Sequence, residues 1–139
     1  MPVRRLPPNL PEGNVHDPVR TVTEFVVLTA RESDTIELVT RRMRLFDCGA
    51  LLVNYENGDL GILSERDVLR AVAECHQDRT AGELASRNPL SIDADQDVGA
   101  AATLMTMARV RHLVVRDGDG DGIVSLRDLV GPLLASAMS

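Results

Sequence analysis

A chain of 139 residues that is 44% hydrophobic can bury one core, but aromatic residues make up only 2%, so Leu, Val, Ala, Ile and Met must fill it. The net charge of −6 and pI of about 5.0 argue against nucleic acid as a partner, because its phosphates would be repelled. Two cysteines, Cys48 and Cys75, exclude a disulfide scaffold, and no apolar run approaches the roughly 18 residues of a membrane span, so the expectation is a cytoplasmic chain with reduced thiols and no membrane association.

Taken in order, residues 1–20 hold five of the seven prolines and few large apolar groups, which reads as a flexible arm. A first unit then spans 21–78 and a second 79–139. In the first, residues 21–25 form a short helical lead-in and 26–29 a buried strand. Asp34-Thr35-Ile36-Glu37 has the spelling of a capping box, opening a helix whose apolar stripe is Ile36, Val39, Met43 and Leu45 or Phe46. Residues 49–53 are a second strand, Asn57-Gly58 the hairpin turn, 60–63 the return strand, and Ser64 to about Cys75 a second helix. The second unit repeats this order: lead-in 80–84, strand 89–92, a helix capped by Asp95, strand 112–115, a turn at 117–120, and Ile123-Val124 before the last helix. Pro132 lacks the N–H that would reach the Asp128 carbonyl, so that helix should bend or restart there.

The units are copies. Gly61-Ile62-Leu63-Ser64-Glu65-Arg66-Asp67-Val68-Leu69 returns as Gly122-Ile123-Val124-Ser125-Leu126-Arg127-Asp128-Leu129-Val130, with five of nine positions identical. The offset is 62 residues from Ala30/Ile92 to Val53/Val115 and 61 after the hairpin, so the second turn is one residue shorter. A half of roughly 60 residues buries only about 60% of its unfolded surface, so the halves should share a core. In each copy a strand runs into Ser-x-x-Asp at a helix start, where free N–H groups and the helix dipole favour an anion. The plainest role for Ser-x-x-Asp is helix capping, worth about 1 kcal/mol and needing no ligand.

Tandem β-α-β-β-α units that end in Gly-h-h-Ser-x-x-Asp-h-h (h, apolar) resemble a pair of cystathionine beta-synthase (CBS) domains, a Bateman module. Val110-Arg111-His112-Leu113-Val114-Val115 and its counterpart Phe46-Asp47-Cys48-Gly49-Ala50-Leu51 extend the likeness, which covers about residues 21–137. The resemblance implies an α+β fold of two repeats with pseudo-two-fold symmetry, and two clefts that take AMP, ADP, ATP or S-adenosylmethionine. Asp67 and Asp128 would accept the ribose hydroxyls, and Ser64 and Ser125 would meet phosphate. Adenine would lie against Leu28-Thr29-Ala30 and Leu90-Ser91-Ile92, with Arg111 and His112 beside the phosphates. Repeat one offers only Gly49 and Ala50 at the positions of Arg111 and His112, so the clefts should be unequal, with phosphate held where Arg111 reaches. Leu52 and Val114 stand where the family often has Pro. The resemblance further implies a homodimeric regulatory sensor with no catalytic cofactor; the alternative is an interaction module of the same fold with empty clefts.

A second motif overlaps the repeat. Residues 117–128 spell an EF-hand loop, with Asp117, Asp119, Asp121 and Asp128 as calcium ligands and Gly122 at the sixth position. Against it, the incoming segment reads as a strand and the matching loop of repeat one lacks the ligands. No P-loop, nucleophilic triad or metal-spaced His/Cys set is present, so an enzyme is not expected.

Overall fold

The computed structural model describes residues 13–25, 27–118 and 120–138. After a 3-10 turn at Val19–Val22, the first repeat comprises β1 (Thr29–Arg31), α1 (Ile36–Leu45), β2 (Ala50–Asn54), β3 (Leu60–Ser64) and α2 (Glu65–Ala73). The second follows as α3 (Ala81–Leu84), β4 (Ser86–Arg87), β5 (Ser91–Asp93), α4 (Val98–Ala108), β6 (His112–Asp117), β7 (Gly120–Ser125) and α5 (Leu126–Met138). In both repeats the first strand pairs parallel with the second, which pairs antiparallel with the third. Val53 faces Gly61 and Val115 faces Gly122, which leaves the second turn one residue shorter, as the offset predicts.

Several local expectations shift. The first strands start later than 26 and 89 because Leu28 and Leu90 already serve as lead-ins, their carbonyls accepting from Leu52 and Val114 N–H at 3.0 Å each. Val26, part of the expected strand, lies outside the described residues. Asp97, not Asp95, caps α4 through the Ala100 N–H at 2.7 Å; Asp95 pairs with Arg20 instead. Thr35 caps α1 alone, and Asp34 instead holds the Arg31 N–H at 3.0 Å and Arg42 at 3.2 Å. Pro132 does not interrupt α5, which runs through it. The ring is buried, and neighbouring Leu129 and Leu133 anchor the helix in the second core across the missing bond.

Part of the expected arm is folded. Residues 1–12 lie outside the described residues, but 15–20 are seated on the second repeat. Val19 is fully buried, its N–H reaches the Gln96 carbonyl at 2.6 Å, and Val98 and Gly99 N–H groups reach the carbonyls of Asp17 and Val15 at 2.9 Å each. An apolar side chain with satisfied backbone outweighs the disorder suggested by nearby prolines.

This seating belongs to a reciprocal exchange. The lead-in to repeat one packs on repeat two: Val19 and Val22 join the core of Val98, Ala101, Met105, Leu113, Val115, Val124 and Leu129, and Glu24 bridges to Ile123. In return, Ala81, Leu84 and Ala85 join the core of Val39, Met43, Leu51, Val53 and Leu63, and β4 pairs with β3. Between the repeats, Leu52 and Ile62 meet their counterparts Val114 and Ile123 in a third apolar cluster. The glycine that opens each copied motif sits under the exchanged strand. A Cβ on Gly61 would stand 3.2 Å from the Ser86 carbonyl oxygen, and one on Gly122 would stand 2.8 Å from that of Glu24. A side chain at Gly122 would force a shift, and one at Gly61 would be tight.

The hairpin at 117–120 removes the EF-hand. Asp117 is in register with Gly120 and Arg116 with Asp121, so both flanks are paired strands where calcium binding requires helix–loop–helix. Asp119 lies outside the described residues. Among the described residues no helix is long and apolar enough to cross a membrane.

Candidate functional site

The two Ser-x-x-Asp motifs fold alike. Ser64 accepts from the Asp67 N–H at 3.3 Å, while Asp67 Oδ2 takes the Ser64 N–H at 2.8 Å and its hydroxyl at 3.0 Å. Ser125 and Asp128 repeat the pattern at 3.2, 2.8 and 2.8 Å. Each helix start is also tied to the other strand of its hairpin: Glu65 N–H reaches the Gly49 carbonyl at 2.9 Å, and Leu126 N–H reaches that of Arg111 at 2.8 Å. Every one of these carboxylate bonds uses Oδ2, so the cap bonds leave Oδ1 of the same side chain as an acceptor. Capping and binding are therefore compatible at both aspartates.

Each motif borders a cleft built from both repeats. The first, of about 440 Å³, sets Ser64, Asp67, Arg66 and Arg70 of α2 and its cap against residues 109–112 and Leu90 of the second repeat. The second, of about 740 Å³, sets Ser125, Arg127 and Asp128 against Val27, Leu28 and residues 47–50 of the first repeat. Ser64, Arg66, Arg111 and His112 border both, so the clefts are neighbours with a shared wall.

The two linings, shared residues included, carry opposite charge balances. The Asp67 cleft has four arginines (Arg66, Arg70, Arg109, Arg111) and one carboxylate, Asp67 itself. Around the Asp128 cleft stand four carboxylates (Glu24, Asp47, Glu65, Asp128) and three arginines (Arg66, Arg111, Arg127). In the shared wall, burial pushes the His112 imidazole below its usual pKa; Asp128 and Asp67 pull it upward, and Arg111 adds to the lowering. Burial also raises the Cys48 thiol, with Glu65 adding to the effect, so this cleft cysteine is a protonated thiol at neutral pH. Among the described residues no cluster of three His, Cys, Asp or Glu could hold a metal ion.

Two copies of a strand–cap–helix unit, each closing a cleft against the other, set the architecture beside known families. A family profile for the CBS domain matches residues 19–74 and 81–134. The chain belongs to the CBS domain family. An uncharacterized 17.7 kDa protein from the bps2 3' region of Acidianus ambivalens is 29% identical over 119 residues, which cover 84% of this chain and 73% of that protein. Among solved structures, the CBS domain protein PAE2072 from Pyrobaculum aerophilum, complexed with AMP, superposes with a TM-score of 0.72 at 26% identity, covering 88% of this chain and 99% of that one. An uncharacterized conserved protein from Pyrococcus horikoshii shares the fold with a TM-score of 0.74 at 22% identity, covering 84% and 92%.

Within this CBS pair the structure brings most of the expected site residues together. Asp67, Ser64, Leu90, Arg111 and His112 border the first cleft, and Asp128, Ser125, Leu28, Arg111 and His112 the second. Four expected residues do not border either. Ala30 and Ile92 are buried in the two repeat cores, while Thr29 and Ser91 are exposed strand residues outside both linings. Because Arg111 borders both clefts, it cannot by itself make them unequal.

The residues that do so escaped the sequence reading. Asp47 and Arg109 are equivalent, each following the first helix of its repeat and each in the left-handed region, with φ of 51° and 57°. Arg70, one turn after Arg66 on α2, has Gly131 as its counterpart. Aligning the repeats would have exposed both differences; assigning them to clefts required the exchange of walls between repeats.

Proposed function

We propose that this CBS pair is a non-catalytic regulatory sensor that binds an adenosine compound in the clefts between its repeats. The observation that carries the reading is that each cleft holds a helix-start carboxylate beside arginines contributed across the repeat boundary. An ionised aspartate suits paired ribose hydroxyls, and guanidinium groups suit phosphate. The PAE2072 structure, complexed with AMP, supports the ligand class. Occupancy would favour the arrangement of repeats that closes the composite clefts, and this shift in population is the signal. Homodimerisation fits the apolar residues left exposed on α2 and α5, Leu69, Val72, Val130 and Leu134.

A thermal-shift panel of AMP, ADP, ATP, S-adenosylmethionine, NAD and calcium tests the reading. A ligand at 100 times its dissociation constant adds about 2.7 kcal/mol of stability, a shift of several degrees for a chain of this size. If no adenosine compound moves the melting temperature, the module is an interaction domain in which the capping boxes are purely structural.

A further inference from the structure

The two clefts arise from one duplicated unit, yet a single position reverses its charge between them. At the residue that closes the first helix of each repeat, Asp47 borders the Asp128 cleft and Arg109 borders the Asp67 cleft. Both hold the same left-handed backbone, so the loop presents its side chain from equivalent points. Two further positions point the same way. Arg70 borders only the Asp67 cleft and has Gly131 as its counterpart, while Glu65 borders only the Asp128 cleft and its counterpart Leu126 adds no charge to the Asp67 cleft.

The arginines of the Asp67 cleft are also unpaired. Arg20, Arg41, Arg42 and Arg87 each have a carboxylate partner, but among the described residues Arg66, Arg70, Arg109 and Arg111 form no ion pair. Four like charges gathered around the single carboxylate of Asp67 repel one another, and a bound polyanion relieves that repulsion. The Asp128 cleft has the opposite balance, with four carboxylates against three arginines, so it would disfavour the same polyanion and favour a cation.

We propose that the clefts sort adenosine compounds by charge: the Asp67 cleft takes a polyphosphate-bearing nucleotide, and the Asp128 cleft takes a compound without phosphate, preferentially one with a cationic side chain. The proposal rests on the adenosine reading above and adds which compound goes where. Arg66 and Arg111, on the shared wall, are drawn toward phosphate when the first cleft fills, leaving the second more acidic. Filling one cleft with polyphosphate therefore favours a cation in the other.

Isothermal titration of the full chain with ATP, adenosine and S-adenosylmethionine provides the test, using Arg109→Asp and Asp47→Arg. Each substitution installs a residue that the equivalent loop already carries at nearly the same φ, so both variants are compatible with the fold. The expected results are one ATP per chain for the parent protein and an ATP affinity reduced roughly tenfold or more in Arg109→Asp, with adenosine affinity unchanged. Asp47→Arg should bind a second ATP and lose affinity for S-adenosylmethionine. Two equivalent ATP sites in the parent protein, or ATP binding indifferent to Arg109→Asp, would overturn the charge sorting while leaving the adenosine reading intact. Failure of every adenosine compound to bind the parent protein would sink both.

Discussion

The Asp67 and Asp128 clefts share a local geometry and differ in almost everything that surrounds it. Their Ser-x-x-Asp caps agree to within about 0.2 Å in each matching bond. Cap geometry is set by a side chain and a backbone three residues apart, so duplication copies it without effort. The charge that differs between the clefts comes partly from across the repeat boundary, Arg109 in one and Glu24, Asp47 and Glu65 in the other, and partly from the same repeat, Arg70 on α2. A binding surface assembled across a pseudo-two-fold axis can thus keep its cap constant while the residues around the cap change its preference. Asp47 and Arg109 show this at a single backbone position.

The sharpest way to break the comparison is to separate the repeats. Residues 13–78 alone lack Ala81, Leu84 and β4 from their core and sheet edge, and residues 79–138 alone lack Val19 and the Glu24 bridge. Neither half should fold alone, and mixing them should restore the circular dichroism of the whole chain. A cooperative melt from either half would show that the exchanged lead-ins are dispensable. The intact chain should unfold in one transition.

The two motif glycines give a smaller and graded contrast. Gly122→Ala puts a methyl 2.6 Å from Thr23 Cγ2 and 2.8 Å from the Glu24 carbonyl, whereas at Gly61 the nearest atoms stand 3.0 to 3.2 Å away. Gly122→Ala should lower stability by about 1–3 kcal/mol in urea titration and Gly61→Ala by less. Equal losses would mean that the exchanged strands are held equally loosely.

The smallest effect concerns the wall both clefts share. The His112 imidazole is held below its ordinary pKa in the folded chain, so the folded state binds fewer protons than the unfolded one as pH falls. Its contribution to stability is complete above about pH 6.5 and is lost on acidification. His112→Gln should flatten the fall in melting temperature below that pH. If the slope is unchanged, His112 does not sense the shared wall.

The path from sequence to site was uneven for definable reasons. Strand–helix order, the repeat offset and both Ser-x-x-Asp caps were legible because each depends on neighbours within a few residues. The cap of α4 was placed two residues early, since Asp95 and Asp97 are both good caps and only the pairing of Asp95 with Arg20 separates them. Pro132 reads as a break because the missing N–H is local, whereas the packing that carries α5 through it is not. The resemblance sets adenine against the backbone of Thr29, Ala30, Ser91 and Ile92, whose side chains alternate between the cores and solvent. Residues 117–128 match a calcium motif at most ligand positions, with Asp128 where Glu is usual, and strand register bears out the objection that the incoming segment is a strand.

What the sequence by itself determined, then, is the unit: its elements, its duplication, its caps and the family it resembles. All of these follow from periodicity and short-range hydrogen bonding, which survive copying. The crossing of each lead-in to the other repeat, and the meeting of each cap with a cleft wall from across the axis, come from tertiary packing alone. Those outcomes depend on which apolar surfaces bury each other. Val19 and Ala81 are equally suited to either core as single residues; chain geometry and the close approach over Gly61 and Gly122 select the exchanged arrangement.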